Sequence, residues 1–154
     1  MALTVRQARA EDAADIARLS LQLDASLDPT TIAQRFTRLL AWPTHAFFVL
    51  VGDDEDDGAR GGGPVVGFVA AEHRNLLQSG ERVELIALVV DAERRRRGAG
   101  AALVSAAEAW ASRRGVAQVV VRSSLSRDAT HPFYRCLGYA HHKTQHVYTR
   151  SLSP

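Results

Sequence analysis

The spacing at which hydrophobic residues recur changes along the chain, and these changes mark the predicted helices and strands. Residues 3–8 alternate apolar and polar side chains, which is typical of a half-buried strand. Apolar residues within 13–23 recur at helical spacing and predict an amphipathic helix. A second helix is predicted to start near Asp28, where Pro29 suits a first turn, and to run to about Leu40.

Apolar runs rich in β-branched and aromatic residues predict the inner strands. Two such runs, residues 45–51 and 65–71, are joined by a stretch in which acids precede a run of glycines. The acids occupy positions 53–57, and we interpret this joint as a solvated loop, with cation binding as the alternative. Residues 83–90 contain neither proline nor glycine and predict a buried strand.

The remainder of the chain continues with a helix that ends at Gly115. Residues 118–122 predict the next strand, and the order strand, helix, strand predicts that the two strands are parallel. A short helix over 130–137 and a hairpin complete the chain, the hairpin from residues 139–142 and 145–152. The long helix is predicted to bury four apolar side chains: Leu103, Ala106, Ala107 and Trp110.

These elements predict an α/β (α+β) domain. Its sheet is expected to be mixed but mostly antiparallel, with about seven strands, a central parallel pair and about four helices. With 154 residues, the chain has room for one domain, residues 1–154.

Composition and charge exclude several classes of function. A net charge of +2 is too small to indicate a nucleic-acid partner. The single cysteine, Cys136, excludes an internal disulfide framework and supports no metal cluster. No apolar run approaches the roughly 20 residues that span a bilayer, and the N-terminal residues lack a signal-peptide pattern. We therefore expect a cytoplasmic protein with no membrane or nucleic-acid partner.

The turn after the buried strand carries the first candidate chemistry. A strand that passes through Gly98 and Gly100 into a helix directs several backbone N–H groups to one point, at the positive end of the helix dipole. Phosphate oxygens suit such a point, and glycine allows them a close approach. The turn is neither a P-loop, because no Gly-Lys-Ser/Thr follows, nor the Gly-x-Gly-x-x-Gly dinucleotide fingerprint.

The pattern that the turn does match is Arg-x-x-Gly-x-Gly, formed by Arg95, Gly98 and Gly100. With it, the chain resembles the GCN5-related N-acetyltransferase (GNAT) superfamily, in which this motif grips the pyrophosphate of acetyl-CoA. The opening Arg6-x-Ala8-x-x-x-Asp12 is also similar to the family's first strand and helix.

The resemblance implies a cofactor-binding set. The first part is the backbone at the end of the central strand, where the family's strands four and five splay apart: Leu88, Val89 and Val90. The second part is the basic turn with its glycines: Arg95, Arg96, Arg97, Gly98, Ala99 and Gly100. The last member is a later arginine, Arg127. Arginines 94–97 alternatively indicate a nucleic-acid patch, but they lack interleaved aromatic residues.

Residues 130–139 resemble the family's closing motif, with Phe133-Tyr134 followed by Gly138-Tyr139. The resemblance makes Tyr134 the general acid that protonates the departing thiolate. We expect that proton transfer to be downhill or close to neutral, because a phenol titrates near about 10 and a thiol near about 8.5. The alternative is that Tyr134 only packs at a helix end.

A base is also needed, and Glu84 is the candidate, because it is one carboxylate in an otherwise apolar strand. Burial is expected to raise its pKa toward the range of a working base. The alternative is that Glu84 lies at the solvent end of the strand. The histidines at 141, 142 and 146 could bind metal, but adjacent strand residues face opposite ways, so no metal is expected.

The resemblance predicts acetyl transfer from acetyl-CoA, the co-substrate, to a primary amine by direct attack in a ternary complex. Four residues could form a pocket for a cationic small molecule: Asp24, Asp28, Trp42 and Glu72. The alternatives are a peptide or protein N-terminal acetyltransferase and a non-catalytic acetyl-CoA sensor. Homodimerisation is possible.

Overall fold

The structure, a computed structural model, describes residues 3–52, 63–95, 98–122 and 130–152. The acidic loop, Arg96, Arg97 and Arg127 lie outside this description. The chain divides into two compact units, Met1–Arg122 and Ser123–Pro154, and each is described by itself. Whether the two act as one domain stays a prediction.

The first unit contains the sheet and three helices. Their bounds, in chain order, are β1 (Leu3–Gln7), α1 (Ala13–Ser20), α2 (Pro29–Leu40), β2 (His45–Gly52), β3 (Val65–Leu76), β4 (Gly80–Val90), α3 (Ala99–Arg113) and β5 (Val119–Val121). Short 3₁₀ turns at Ala10–Asp12 and Ala92–Arg94 precede α1 and follow β4. The second unit contains α4 (Thr130–Cys136). None of the described helices is both long and apolar enough to cross a membrane.

The sheet is mixed, as predicted, but its described part has five strands and not about seven. The strand order is β1-β2-β3-β4-β5. Neighbouring strands from β1 to β4 are antiparallel, whereas β4 and β5 are parallel. The parallel pair therefore lies at the edge of the described sheet and not at its centre. The predicted hairpin over 139–152 is wrong, because this segment forms no strand and its side chains beyond Tyr139 are exposed. Alternation of apolar and polar side chains is not enough to form strands in this segment, since an isolated two-stranded hairpin is only marginally stable without further packing.

One face of the sheet packs against α1 and α2, and we call it the α1/α2 face. The ring of Phe36 on α2 meets that of Phe47 on β2 edge to face, with centroids 5.1 Å apart. Ile16 and Leu19 of α1 join the same buried cluster. Asp28 caps α2, since its side chain accepts a hydrogen bond from the Thr31 N–H.

The opposite face packs against α3. The helix buries Leu103 and Ala107, as predicted, but it also buries Val104 and Ala111, whereas Ala106 and Trp110 are only half-buried. The Arg114 guanidinium lies over the Trp110 ring, 4.9 Å from its centroid, which keeps that ring near the surface. Gly67 of β3 is required here, because an added Cβ would lie 2.9 Å from the Val89 carbonyl oxygen and 3.3 Å from Leu103 Cδ1.

A bulge in β4 changes which face its residues occupy. Ala70 pairs with Ala87, but Ala71 pairs with Leu85, so that Ile86 is the extra residue and is 53% exposed. The shift places Glu84 opposite Glu72, on the α1/α2 face. Without the bulge, the two-residue period would turn Glu84 to the α3 face.

Candidate active site

The turn between β4 and α3 forms the candidate phosphate site. Gly98 is the N-cap of α3 and has φ 72°, in the left-handed region that favours glycine. Gly98 has no side chain that could cap the helix, and the first turn of α3 contains no acidic residue. The first N–H groups of α3 therefore lie at the positive end of the helix dipole, where an anion would be stabilised.

Arg95 and the glycine motif lie between the end of β4 and the first turn of α3. The exposed Arg95 donates from Nε to the Val90 carbonyl, 3.1 Å away, so its side chain folds back on the end of β4. Ala99 is buried and Gly100 is half-buried, both in the first turn of α3. The guanidinium and the helix N-terminus thus flank the same strand end.

The edge of β4 near its end is the candidate site for the thioester. Described pairing with β5 ends at Leu85 and Val121. The Asp91 N–H donates to the Val66 carbonyl on the β3 side. Because backbone groups alternate along a strand, the N–H groups of Val90 and Leu88 point to the opposite edge. Two backbone donors there suit a carbonyl or an amide of a bound pantetheine arm.

Glu84 lies inside a cluster of arginines and is 5% exposed. Its Oε1 accepts from Arg82 at 2.6 Å, and from Arg74 and Arg122 at 3.4 Å each. Burial raises the pKa of the Glu84 carboxyl, but the Arg82 hydrogen bond and the three positive charges outweigh it, so the net pKa is lowered. The expectation of a raised pKa is wrong, because the sequence did not show these partners.

Tyr134 lies on α4 in the second unit and is half-buried. The rings of Phe133 and Tyr139 meet it edge on, with centroids 5.0 Å and 5.7 Å away. Burial raises the pKa of the Tyr134 phenol above its ordinary value. The hydroxyl is therefore protonated at neutral pH and can donate a hydrogen bond.

The raised pKa also corrects the expected direction of proton transfer. Ordinary values near 10 for a phenol and 8.5 for a thiol already make full transfer to a thiolate uphill by about 2 kcal/mol. Burial of Tyr134 increases that difference. The expectation of a downhill or neutral transfer is therefore wrong, because full transfer of the phenol proton to a thiolate is uphill.

The predicted cationic pocket is only partly assembled. Asp24 accepts hydrogen bonds from the N–H and hydroxyl of Ser26, and Asp28 accepts the equivalent pair from Thr31. Asp24 thus serves a local turn, and Asp28 caps α2. Trp42, 50% exposed, instead packs edge on against His45, whose Nε2 lies 3.9 Å from Glu72 Oε2.

Sequence reasoning missed the arginines around Glu84 and the bulge that places them there. A signal was present: Arg74 lies two positions after Glu72, and Arg82 two positions before Glu84. In the structure, β3 and β4 contain these residues, and only 77–79 form the turn between the strands. Charged residues separated by two positions on facing strands indicate a polar sheet face.

The model of the acetyltransferase (GNAT) family matches residues 14–139. The search of curated protein sequences finds no match.

Solved structures share the fold. An AAC(6′)-Iy structure in complex with a bisubstrate analogue of CoA and acetylneamine has a TM-score of 0.85 at 19% identity, over 98% of this chain and 99% of that one. The aminoglycoside 6′-N-acetyltransferase AAC(6′)-Ih from Acinetobacter baumannii has a TM-score of 0.82 at 15% identity, over 99% and 100%. A Trypanosoma brucei acetyltransferase has a TM-score of 0.76 at 20% identity, over 97% and 100%.

Proposed function

The chain belongs to the acetyltransferase (GNAT) family, and from this premise we propose that it transfers an acetyl group from acetyl-CoA to the primary amine of a small molecule. The observation that carries the proposal is the N-terminus of α3, whose N-cap is the left-handed Gly98, together with the strand edge at Leu88 and Val90 that precedes it in the chain. The family model runs through both compact units, which supports the proposal that they act as one transferase domain.

In this proposal the turn holds the pyrophosphate of acetyl-CoA. The first N–H groups of α3 bind its oxygens, and the Arg95 guanidinium supplies positive charge. Arg96, Arg97 and Arg127 are assigned to the same phosphates from their positions in the sequence. Gly98 fits this role, because among the described residues no atom lies within 4 Å of an added Cβ, which leaves space beside the backbone for a ligand.

The strand edge then positions the thioester. The Leu88 and Val90 N–H groups are assigned to the pantetheine arm and to the oxygen on which negative charge develops, where backbone donors contribute about 3 kcal/mol. Tyr134 is assigned to the departing sulfur as hydrogen-bond donor and general acid. Attack by the amine is direct, within a ternary complex.

The base predicted at Glu84 stays a prediction, and its lowered pKa counts against it. A carboxylate held by three arginines is a weak base. The proton of the acceptor ammonium then goes to solvent before attack, or to Glu84 through a water molecule. The acceptor is a small-molecule amine, in line with the aminoglycoside acetyltransferases among the structural neighbours.

The test is a thiol-release assay on a panel of amines, with acetyl-CoA binding followed by calorimetry. We expect turnover on at least one amine. Tight acetyl-CoA binding without turnover on any amine or peptide would favour the acetyl-CoA sensor, and turnover confined to peptides would favour the N-terminal acetyltransferase.

The phosphate assignment has its own test in Arg95→Ala. We expect weaker coenzyme A binding, with a larger loss at low than at high salt, since the contact is exposed and screened. Equal losses for coenzyme A and dephospho-coenzyme A would place Arg95 at the pyrophosphate. A loss confined to coenzyme A would place it at the 3′-phosphate, and no loss would contradict the assignment.

A further inference from the structure

A closed ring of contacts joins the last turn of α1 to the start of β3 and the end of β4. Arg18 on α1 donates from Nη2 to the Val65 carbonyl, 2.9 Å away. Its Nη1 lies 3.6 Å from Asp91 Oδ2. The Asp91 N–H donates in turn to the carbonyl of Val66, the neighbour of Val65, at 2.8 Å. One arginine side chain therefore links a helix and two strands at the point where β4 ends.

Asp91 uses its carboxylate for this ring and not for the turn that follows it. Asp91 is the N-cap residue of the 3₁₀ turn Ala92–Arg94, a position where aspartate usually accepts a hydrogen bond from the first N–H groups of a helix. Among the described residues its side chain makes no such bond. The carboxylate is directed toward Arg18 on α1 instead.

Asp91 also connects the two parts of the proposed coenzyme site. Val90, directly before it, carries one of the N–H groups assigned to the pantetheine arm and the thioester. Arg95, assigned to the phosphates, donates from Nε to the Val90 carbonyl. The Arg94 N–H donates to the Asp91 carbonyl at 2.8 Å. A displacement of Asp91 would therefore move the strand edge and the phosphate turn together.

Resting on the proposed function, we propose that Arg18 is a positioning residue for acetyl-CoA. It fixes Asp91, and with Asp91 the backbone that binds the pantetheine arm and the phosphates. Arginine suits this role, because its planar guanidinium reaches a carbonyl and a carboxylate at once through separate N–H groups. The Arg18 side chain is 48% exposed and that of Asp91 26%, so the loss of the contact should have a moderate effect and not abolish binding.

The experiment measures the Kd for acetyl-CoA by calorimetry, and kcat and KM by thiol release. Arg18→Gln should raise the Kd and the KM for acetyl-CoA by about fivefold, the scale of one exposed ion pair. At saturating acetyl-CoA, kcat should change by less than about twofold, because Arg18 touches no reacting group. Arg18→Lys should recover part of the affinity, since an ammonium can keep one of the two contacts.

A double-mutant cycle separates positioning from direct contact between Arg18 and the coenzyme. In an Asp91→Ala background, Arg18→Gln should change the Kd by less than about twofold, because the partner through which Arg18 acts is gone. Any effect of the Asp91 charge on the coenzyme itself cancels in this comparison. An undiminished loss in that background would place Arg18 on the coenzyme and overturn the inference.

Two controls separate positioning from general stability. Asp15 lies on the same helix, 3.5 Å from Arg18 Nη2, and Asp15→Asn should leave the Kd unchanged because the ring stays intact. Arg6→Gln removes the paired hydrogen bonds to buried Asp12, so urea unfolding should show a larger loss of stability than in Arg18→Gln. Arg6 lies on β1, three strands from β4 and about 14 Å away across the sheet, so acetyl-CoA affinity should hold.

Further outcomes would overturn the inference, and they are distinct from failure of the proposed function. An unchanged Kd in folded Arg18→Gln would overturn the inference and leave the transferase standing. Equal losses of affinity in Arg18→Gln and Arg6→Gln would do the same, because the effect would then follow stability and not the ring. Absence of acetyl-CoA binding in the wild type would overturn both. Binding without turnover on any amine would overturn only the transferase, since the Kd comparisons still decide the role of Arg18.

Discussion

At the scale of single residues, arginine partners set the state of the buried carboxylates. The Asp12 carboxylate accepts hydrogen bonds from both Nη atoms of Arg6, at 2.8 Å and 2.9 Å, and from the Arg9 backbone N–H, at 2.7 Å. Burial raises the pKa of Asp12, but these donors lower it by more, as the arginines do for Glu84. Each carboxylate is therefore ionised at neutral pH, and its first role is to hold neighbouring groups in place.

Tyr134→Phe tests the proposed acid. It keeps the ring contacts and removes the hydroxyl, so acetyl-CoA affinity should hold while turnover falls by about 10²-fold. Because burial raises the pKa of Tyr134, the donor stays protonated as pH rises, and its ionisation should not reduce activity below about pH 10. Steady-state kinetics from pH 6 to 10 measure both effects.

Tyr148→Phe is the matched control, since this tyrosine is 90% exposed. It should change neither turnover nor affinity. Equal turnover in Tyr134→Phe and the wild type would make Tyr134 a packing residue.

Glu84→Gln separates a base from an ion-pair centre. The amide keeps the shape of the side chain and removes the negative charge that Arg74, Arg82 and Arg122 share at Glu84. We expect a loss of about 2 kcal/mol in the free energy of unfolding, the scale of a hydrogen bond to a charged group. Because the pKa of Glu84 is lowered, the wild-type and variant pH profiles of kcat/KM should have the same apparent pKa in the neutral range.

The control is Glu11→Gln, at an exposed position, which should leave stability nearly unchanged. A neutral-range limb that is present in the wild type and lost in Glu84→Gln would show that Glu84 is the base after all.

At the scale of elements, α3 is bounded at each end by a glycine in the left-handed region. Gly98 precedes it with φ 72°, and Gly115 follows it with φ 75°. At either position, an added Cβ would meet no atom of the described residues within 4 Å. An alanine would therefore carry the same backbone strain at either end, but only the N-terminal end has the N–H groups and the dipole sign that suit a phosphate.

This symmetry gives a matched pair of variants, Gly98→Ala and Gly115→Ala. Both should lose about 1 kcal/mol of stability, because alanine is disfavoured at positive φ. Only Gly98→Ala should also lose affinity for acetyl-CoA, which calorimetry measures. Equal affinities in the two variants would contradict the phosphate site at α3.

At the scale of the whole molecule, charge and sheet topology act together. The ion pair of Asp12 joins β1 to the start of α1, and that of Glu84 joins β3, β4 and the end of β5. These contacts bridge elements, so their loss affects how the first unit holds together. Their contribution to stability depends on ionisation of the two carboxylates.

Acid should therefore destabilise the protein in a defined range. The native pKa values of Asp12 and Glu84 are both lowered, so their contribution is fully present above the ordinary carboxyl value near pH 4 and is lost as pH falls through the lower native values. Urea unfolding between pH 2 and 7 should show a plateau above about pH 5 and a decline below about pH 4. Asp12→Asn should flatten the decline, and a stability that rises on acidification would contradict this account.

The sequence by itself determined the features that depend on neighbouring residues. The spacing of hydrophobic residues predicted α1, α2, α3 and the central parts of β1 to β5. The conformational preferences of proline and glycine marked the helix ends at Pro29, Gly98 and Gly115. These are local preferences of the backbone and of short side-chain spacings, so a single chain shows them. The family followed from the motif around Gly98, since its spacing is also local.

Tertiary structure alone decided which groups meet. The bulge at Ile86 sets the face of Glu84, and the arginines that lower its pKa lie 2, 10 and 38 positions away in the chain. The predicted closing hairpin also depended on tertiary contacts and does not form. Alternation of apolar and polar residues specifies a strand only where the edge of a partner strand is available. The electrostatics of a buried side chain depends on every charge near it in space, and hydrophobic periodicity does not contain those distances.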